Sequence, residues 1–128
     1  MCPLASEPFQ FEVDHARRFL RITLQGGWGR DTVDHYREAV RRTVQTMAIK
    51  GVRLDDVAIL LDTRDLSVQT RDVAEYYAET PIYAAAQPRR IATLVTSRLV
   101  GMQVRRVSTR VEQVFDDEAE ALTWLLDA

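Results

Sequence analysis

Four kinds of residue in this chain have side chains that could act on another molecule: acids flanking one apolar run, arginines and hydroxyls at the ends of such runs, two histidines and a group of tyrosines. Asp55-Asp56 precede Val57-Ala58-Ile59-Leu60-Leu61, and Asp62 and Asp65 follow it. Paired carboxylates work as general acid and base or hold a divalent cation. Asp55-Asp56 and Asp62 lie at opposite ends of the run and cannot share a site. Asp62 and Asp65 can, although aspartates in loops commonly satisfy their own backbone. His15 falls in a predicted turn and His35 on a predicted helix beside Asp34, and both are expected to face solvent. A nucleophile paired with either needs a Ser or Cys within reach. No G-x-S-x-G elbow occurs, and Cys2 is the only cysteine. Gly26-Gly27-Trp28-Gly29 sits where nucleotide folds place a phosphate loop, but it lacks both the G-x-G-x-x-G spacing and the G-K-[ST] ending. It reads as a turn, with Trp28 covering the edge of the core. Tyr36, Tyr76, Tyr77 and Tyr83 either line an apolar pocket for a lipid-like ligand or pack on a sheet with their hydroxyls at the rim. These readings predict no catalytic residue, no cofactor and no metal.

The elements that must position these residues are legible from periodicity. Phe9, Phe11 and Val13 alternate with polar residues, as do Leu20, Ile22 and Leu24, so two strands form a hairpin across Asp14-His15-Ala16-Arg17. Asp31 is the expected N-cap of a helix with Val33, Tyr36, Val40, Val44 and Met47 on one stripe, stopped by Gly51. Val57–Leu61 is apolar on both faces, as a central strand is, and Asp62-Thr63-Arg64-Asp65 is expected to end it. Thr70 caps a second helix that Pro81 breaks. A strand over 91–96 follows, and Ser97 caps a third helix with Leu99, Val100, Met102, Val104 and Val107. A last strand over 111–115 leads to a final helix capped by Asp116, with Ala121, Leu122 and Leu125 facing inward.

The order β-β-α-β-α-β-α-β-α predicts an α/β domain with a single-layer mixed, mostly parallel sheet and right-handed crossovers. Residues 1–8 are expected to be a loose terminus and 9–127 one domain. Ligands of open α/β sheets sit outside the carboxyl ends of the strands. That rule selects Trp28, Asp62, Thr63, Arg64, Ser97, Arg98 and Asp116. Free amides near Thr70 and Ser97, with Arg71 or Arg98, would suit an anion; caps and solvated arginines account for the same residues. The candidate ligand or partner site is therefore Trp28, Asp62, Arg64, Ser67, Thr70, Arg71, Tyr76, Tyr77, Ser97 and Arg98.

The chain has 128 residues, with 17 basic and 19 acidic side chains and a net charge of −2. Its pI near 5.7 argues against a nucleic-acid partner. All the basic residues but Lys50 are arginine, which suits anion recognition and is also what a GC-rich coding sequence produces. No apolar run approaches the ~20 residues of a membrane span, and the lone Cys2 fits a reducing, cytoplasmic setting.

Three segments resemble the STAS domains, the fold of anti-sigma-factor antagonists and sulfate-transporter tails. They are Leu20-Arg21-Ile22-Thr23-Leu24-Gln25-Gly26, Ile59-Leu60-Leu61-Asp62-Thr63-Arg64-Asp65-Leu66-Ser67, and Val114-Phe115-Asp116-Asp117-Glu118-Ala119-Glu120-Ala121-Leu122-Thr123-Trp124-Leu125. The likeness runs from Phe9 to Leu126 and looks nearest the stand-alone bacterial STAS-like or CRAL-TRIO-like branch. It implies a non-enzymatic regulatory domain that binds a protein partner or its own copy, with a small-molecule binding domain as the alternative. Helices mainly on one side of the sheet would leave the other face partly open; Ile91, Thr93 and Val95 alternate with Ala92, Leu94 and Thr96, apolar enough on both faces to want cover, which implies a homodimer or a lipid-accommodating groove. The family's Asp-Ser-[Ser/Thr]-Gly motif, whose serine is phosphorylated, aligns with Thr70-Arg71-Asp72-Val73. The acceptor position is Arg71, so the phospho-switch does not carry over; Ser67 and Thr70 are the nearest hydroxyls.

Overall fold

The structure is a computed structural model that describes residues 8–67, 70–79, 88–96 and 112–126. Strands β1 (Phe9–Asp14) and β2 (Phe19–Gly26) form the antiparallel hairpin, with Phe9 opposite Leu24 and Asp14 opposite Phe19. Helix α1 (Arg30–Ile49), strand β3 (Ala58–Leu66), helix α2 (Arg71–Glu79), strand β4 (Arg90–Leu94), strand β5 (Glu112–Phe115) and helix α3 (Glu118–Leu126) follow. The sheet has the order β1-β2-β3-β4-β5, parallel from β2 onward. This is the mixed, mostly parallel α/β architecture that the alternation of elements predicts. The expected third helix, with its Ser97 cap, lies outside the described residues.

Three local expectations shift. Asp62-Thr63-Arg64-Asp65 does not end β3: the strand continues to Leu66 because β2 is long enough to pair with it, Gln25 with Asp65 and Gly26 with Leu66, after a register shift. Asp31 does not cap α1; Gly29 is the N-cap, and its amide donates to the Thr32 hydroxyl at 3.3 Å. Asp31 sits in the first turn, where an acid still favours the helix dipole. Asp117 rather than Asp116 caps α3, its Oδ1 accepting from the Ala119 amide at 2.9 Å. Gly51 does stop α1, at a φ of +88° that favours glycine.

Period-2 alternation sorts the core into two clusters. On one face Leu20, Ile22 and Leu24 of β2 and Ile59 of β3 pack with Trp28, Val33, Tyr36, Val40 and Met47, the α1 stripe, and with Val73 of α2. On the other, Ala58, Leu60, Ala92 and Leu94 pack with Ala121 and Leu125 of α3, flanked by Phe19, Phe115 and Trp124. Helices α1 and α2 therefore share one side, and α3 lies on the opposite one. The face expected to be partly open is covered by α3 over Ala92 and Leu94. The handedness rule constrains helices that link two parallel strands, and α3, following β5, links none.

Burial decides which of the apolar residues matter to stability. Leu60→Ala, in a fully buried position under α3, should cost about 2–5 kcal/mol in urea unfolding. Ile49→Ala, at a residue 86% exposed, should stay within about 0.5 kcal/mol of the parent chain.

Candidate functional site

Continuing β3 past Leu61 carries Asp62 into the sheet, 6% exposed, facing the α3 side. A carboxylate so placed needs charged partners, and two arginines supply them. Arg64 reaches back along its own strand, its Nε donating to Asp62 Oδ1 at 2.9 Å and its Nη2 to Oδ2 at 2.7 Å. The Arg64 amide, at the register shift, also donates to Oδ1 at 3.1 Å. Arg21 of β2 donates to Oδ2 at 3.1 Å. Both guanidinium groups meet a second acid, Glu118 in the first turn of α3, at 3.0 Å from Arg21 and 2.9 Å from Arg64. Burial pushes the Asp62 carboxyl up, but the hydrogen bonds and charge of Arg64, with Arg21 behind them, outweigh it and hold it below its usual value. Hydrogen bonding to Arg21, and then to Arg64, holds Glu118 low as well. The Arg64 guanidinium is raised, first by its bond to Asp62.

The other end of α3 is tied down by Arg89 and Arg90, at the entry to β4. Arg89 donates to the Leu125 carbonyl at 2.7 Å, and Arg90 donates to the Trp124 carbonyl while lying 4.9 Å over the Trp124 ring. These are the orphan carbonyls of a helix end, and cations suit them.

The remaining predicted residues separate into two groups. Trp28 is core: it packs against Tyr36 at 5.2 Å and Phe9 at 6.1 Å, and its indole N–H donates to the Gln25 carbonyl. Tyr77 stacks on Tyr36 at 6.3 Å, and burial pushes its hydroxyl up to about 12. Trp28 and Tyr77 both pack in the cluster between α1 and the sheet. The second group gathers where α1 and α2 begin. Thr70 caps α2, its Oγ1 accepting from the Val73 amide at 3.3 Å. Arg71, the position implied for a phosphoacceptor, opens the helix with its side chain 92% exposed and pairs with Glu75 at 3.0 Å. Arg30 of α1 grips Asp72 at 3.0 and 2.6 Å and lies 4.9 Å over the Tyr76 ring, and the Tyr76 hydroxyl donates to Asp34 at 2.5 Å. Ser67 is exposed beside this junction, its amide bonded to the Gly26 carbonyl. Ser97, Arg98 and Tyr83 lie outside the described residues.

Asp62 and Asp65 do not form a carboxylate pair, since Asp62 is spent on arginines. Among the described residues no group of three His, Cys, Asp or Glu could hold a metal ion, and no helix is long and apolar enough to cross a membrane. His35 is exposed as expected, but His15 is half-buried, with Nδ1 shielded and without a partner. Arg21 and Glu118 were missed as site residues. The only sequence signal for them was a charge on the polar face of each element, which solvent explains equally well.

Asp62 and Glu118 release their protons more readily in the folded chain than in the unfolded one, so the unfolded state binds more protons and stability rises with pH. That contribution is complete above the ordinary carboxylate range, near ~4, and is lost as pH falls through it. Glu118 is over a third exposed, so Asp62 carries most of the effect. Asp62→Asn should lower stability at pH 7 by about 2 kcal/mol in urea titrations and flatten the loss below pH ~5. Parallel curves for the two chains would contradict this assignment.

No family model matches the chain, and no curated protein does. Solved structures do. An uncharacterized protein of the DUF3478 family with a SpoIIAA-like fold, from Shewanella loihica PV-4, superposes with a TM-score of 0.63 at 15% identity, over 91% of this chain and 93% of that one. An anti-sigma factor antagonist from Mycobacterium paratuberculosis gives 0.60 at 11% identity, over 93% and 95%. The anti-sigma factor antagonist SpoIIAA in its unphosphorylated form gives 0.56 at 20% identity, over 94% and 99%. At these identities the likeness is one of architecture, and the chain has the SpoIIAA-like fold of STAS domains.

Proposed function

We propose that the chain is a non-enzymatic STAS-like regulatory domain that docks a protein partner on the surface where α1 and α2 begin. The observation that carries this reading is the junction itself. Arg30–Asp72 and Tyr76–Asp34 clamp the two helices together, while Arg71 and Ser67 stand exposed beside the clamp. A fixed platform with projecting polar groups suits recognition, because little conformational freedom is lost on binding. Two of the structural neighbours are named anti-sigma factor antagonists, which supports the regulatory class.

Binding rather than catalysis also suits the charge cluster. A general acid or base works best with a pKa near the working pH, and Asp62 and Glu118 are both held low and committed to arginines. With arginine in the acceptor position, the docking surface is constitutive and carries a fixed positive charge where relatives with the serine motif would gain a negative one.

The test is affinity for purified anti-sigma proteins encoded in the same genome. Arg71→Glu should weaken binding about tenfold or more with unchanged melting, since the residue is exposed. Arg53→Glu, on the loop entering the amino end of β3, should leave binding intact. Absence of any such binding in the micromolar range, or equal loss from both substitutions, would reject the proposal.

A further inference from the structure

Strand β1 is an edge: among the described residues it pairs with β2 alone. The ladder shows which of its backbone groups face outward. The Gln25 amide donates to the Pro8 carbonyl at 2.9 Å, which makes that pair a hydrogen-bonding position. Antiparallel ladders alternate, so Gln10–Thr23, Glu12–Arg21 and Asp14–Phe19 are hydrogen-bonding pairs too. The amides and carbonyls of Phe9, Phe11 and Val13 therefore point to the open side. Edge strands are ordinarily blunted by Pro, charged side chains or a bulge; Phe9–Asp14 has no Pro and no bulge, and its charges are Glu12 and Asp14, whose backbone groups face β2. Its apolar residues are also incompletely covered. Val13 is 38% exposed, and Phe11 and Val13 line a shallow groove against Arg42, Thr43 and Met47 of α1.

We propose that a second copy of this chain pairs antiparallel with β1 about a two-fold axis through Phe11, joining the two sheets into one. The register follows from the pattern. With the axis on Phe11, Phe11 meets its own copy and Phe9 meets Val13, so every outward-facing residue of the strand finds an outward-facing partner. The apolar faces then run together, and Gln10 lies opposite Glu12. Moving the axis to Glu12 sets that carboxylate against its copy, a like-charge pair that destabilises. Moving it to Gln10 leaves Val13 without a partner within Phe9–Asp14. The helix above is complementary to itself in the same arrangement. Phe11 sits beside Glu38, Ala39 and Arg42, so the axis brings the Glu38–Arg42 pair of one copy, 3.4 Å apart within its own chain, toward the same pair of the other. This interface uses none of the surface at the start of α2 and stands or falls separately from the partner-binding proposal.

Sedimentation equilibrium of the full chain across the micromolar range should show a monomer–dimer equilibrium. Proline is tolerated where an edge amide faces outward, so Val13→Pro should keep the circular dichroism and melting of the parent while weakening the dimer about tenfold or more. A second arm reads the register without depending on that variant. In a Cys2→Ser background, chains carrying Gln10→Cys are mixed with chains carrying Glu12→Cys. Residues 10 and 12 would face each other at a close, non-hydrogen-bonded position with Cα atoms about 4.5 Å apart, within disulfide reach. The mixture should cross-link and either variant alone should not. A chain that stays monomeric, a dimer indifferent to Val13→Pro, or single variants that cross-link as well as the mixture would overturn the proposal.

Discussion

A carboxylate buried inside a parallel sheet is tolerable only while its countercharges stay in place, and much of this molecule is arranged around that requirement at Asp62. The residue lies on β3, its nearer arginine two positions along the same strand, its farther one on β2, and the acid that completes the group on α3. Removing either arginine would leave a shielded charge undercompensated, which costs more than a surface pair returns. The cluster thereby ties a central strand, its neighbour and the terminal helix into one electrostatic unit. Its four charges sum to zero, in keeping with a position between packed layers.

The same economy explains where α3 sits. Its apolar residues Ala121 and Leu125 cover β3 and β4, but burial alone does not specify the ends of a nine-residue helix. Asp117 caps its amino end, Arg21 and Arg64 hold Glu118, and Arg89 and Arg90 take up the last carbonyls. Four arginines of an arginine-rich chain thus act as fasteners for one helix. With α3 in place, the second face of the sheet is closed over Ala92 and Leu94. Among the described residues, the clamped junction of α1 and α2 and the outer side of β1 stand away from this layer.

Local pattern and long-range pairing differ in how far the sequence discloses them. The alternation of Phe9, Phe11 and Val13 against Leu20, Ile22 and Leu24, the stripe on α1, the Thr70 cap and the Gly51 stop were all readable, because each depends on neighbours within a few positions. The end of β3 was not: Asp62-Thr63-Arg64-Asp65 has turn composition, and only pairing with Gln25 and Gly26 keeps it extended. Asp62 was singled out, but as a strand-end acid rather than a buried one. Its partner Arg21 contacts Glu118 across 97 positions of chain, a separation over which periodicity carries no information. The side of the sheet chosen by α3 was hidden for a related reason, since no crossover rule governs a helix that follows the last strand.

The Asp62 cluster holds α3 on the sheet, and hydrogen exchange read segment by segment can show whether it does. At neutral pH, Asp62→Ala should strip protection from the amides of Ala121–Leu126 while those of α1 between Val33 and Met47 keep theirs, because the two helices pack on opposite faces. Unchanged protection in α3, or an equal loss in α1 and α3, would contradict the account.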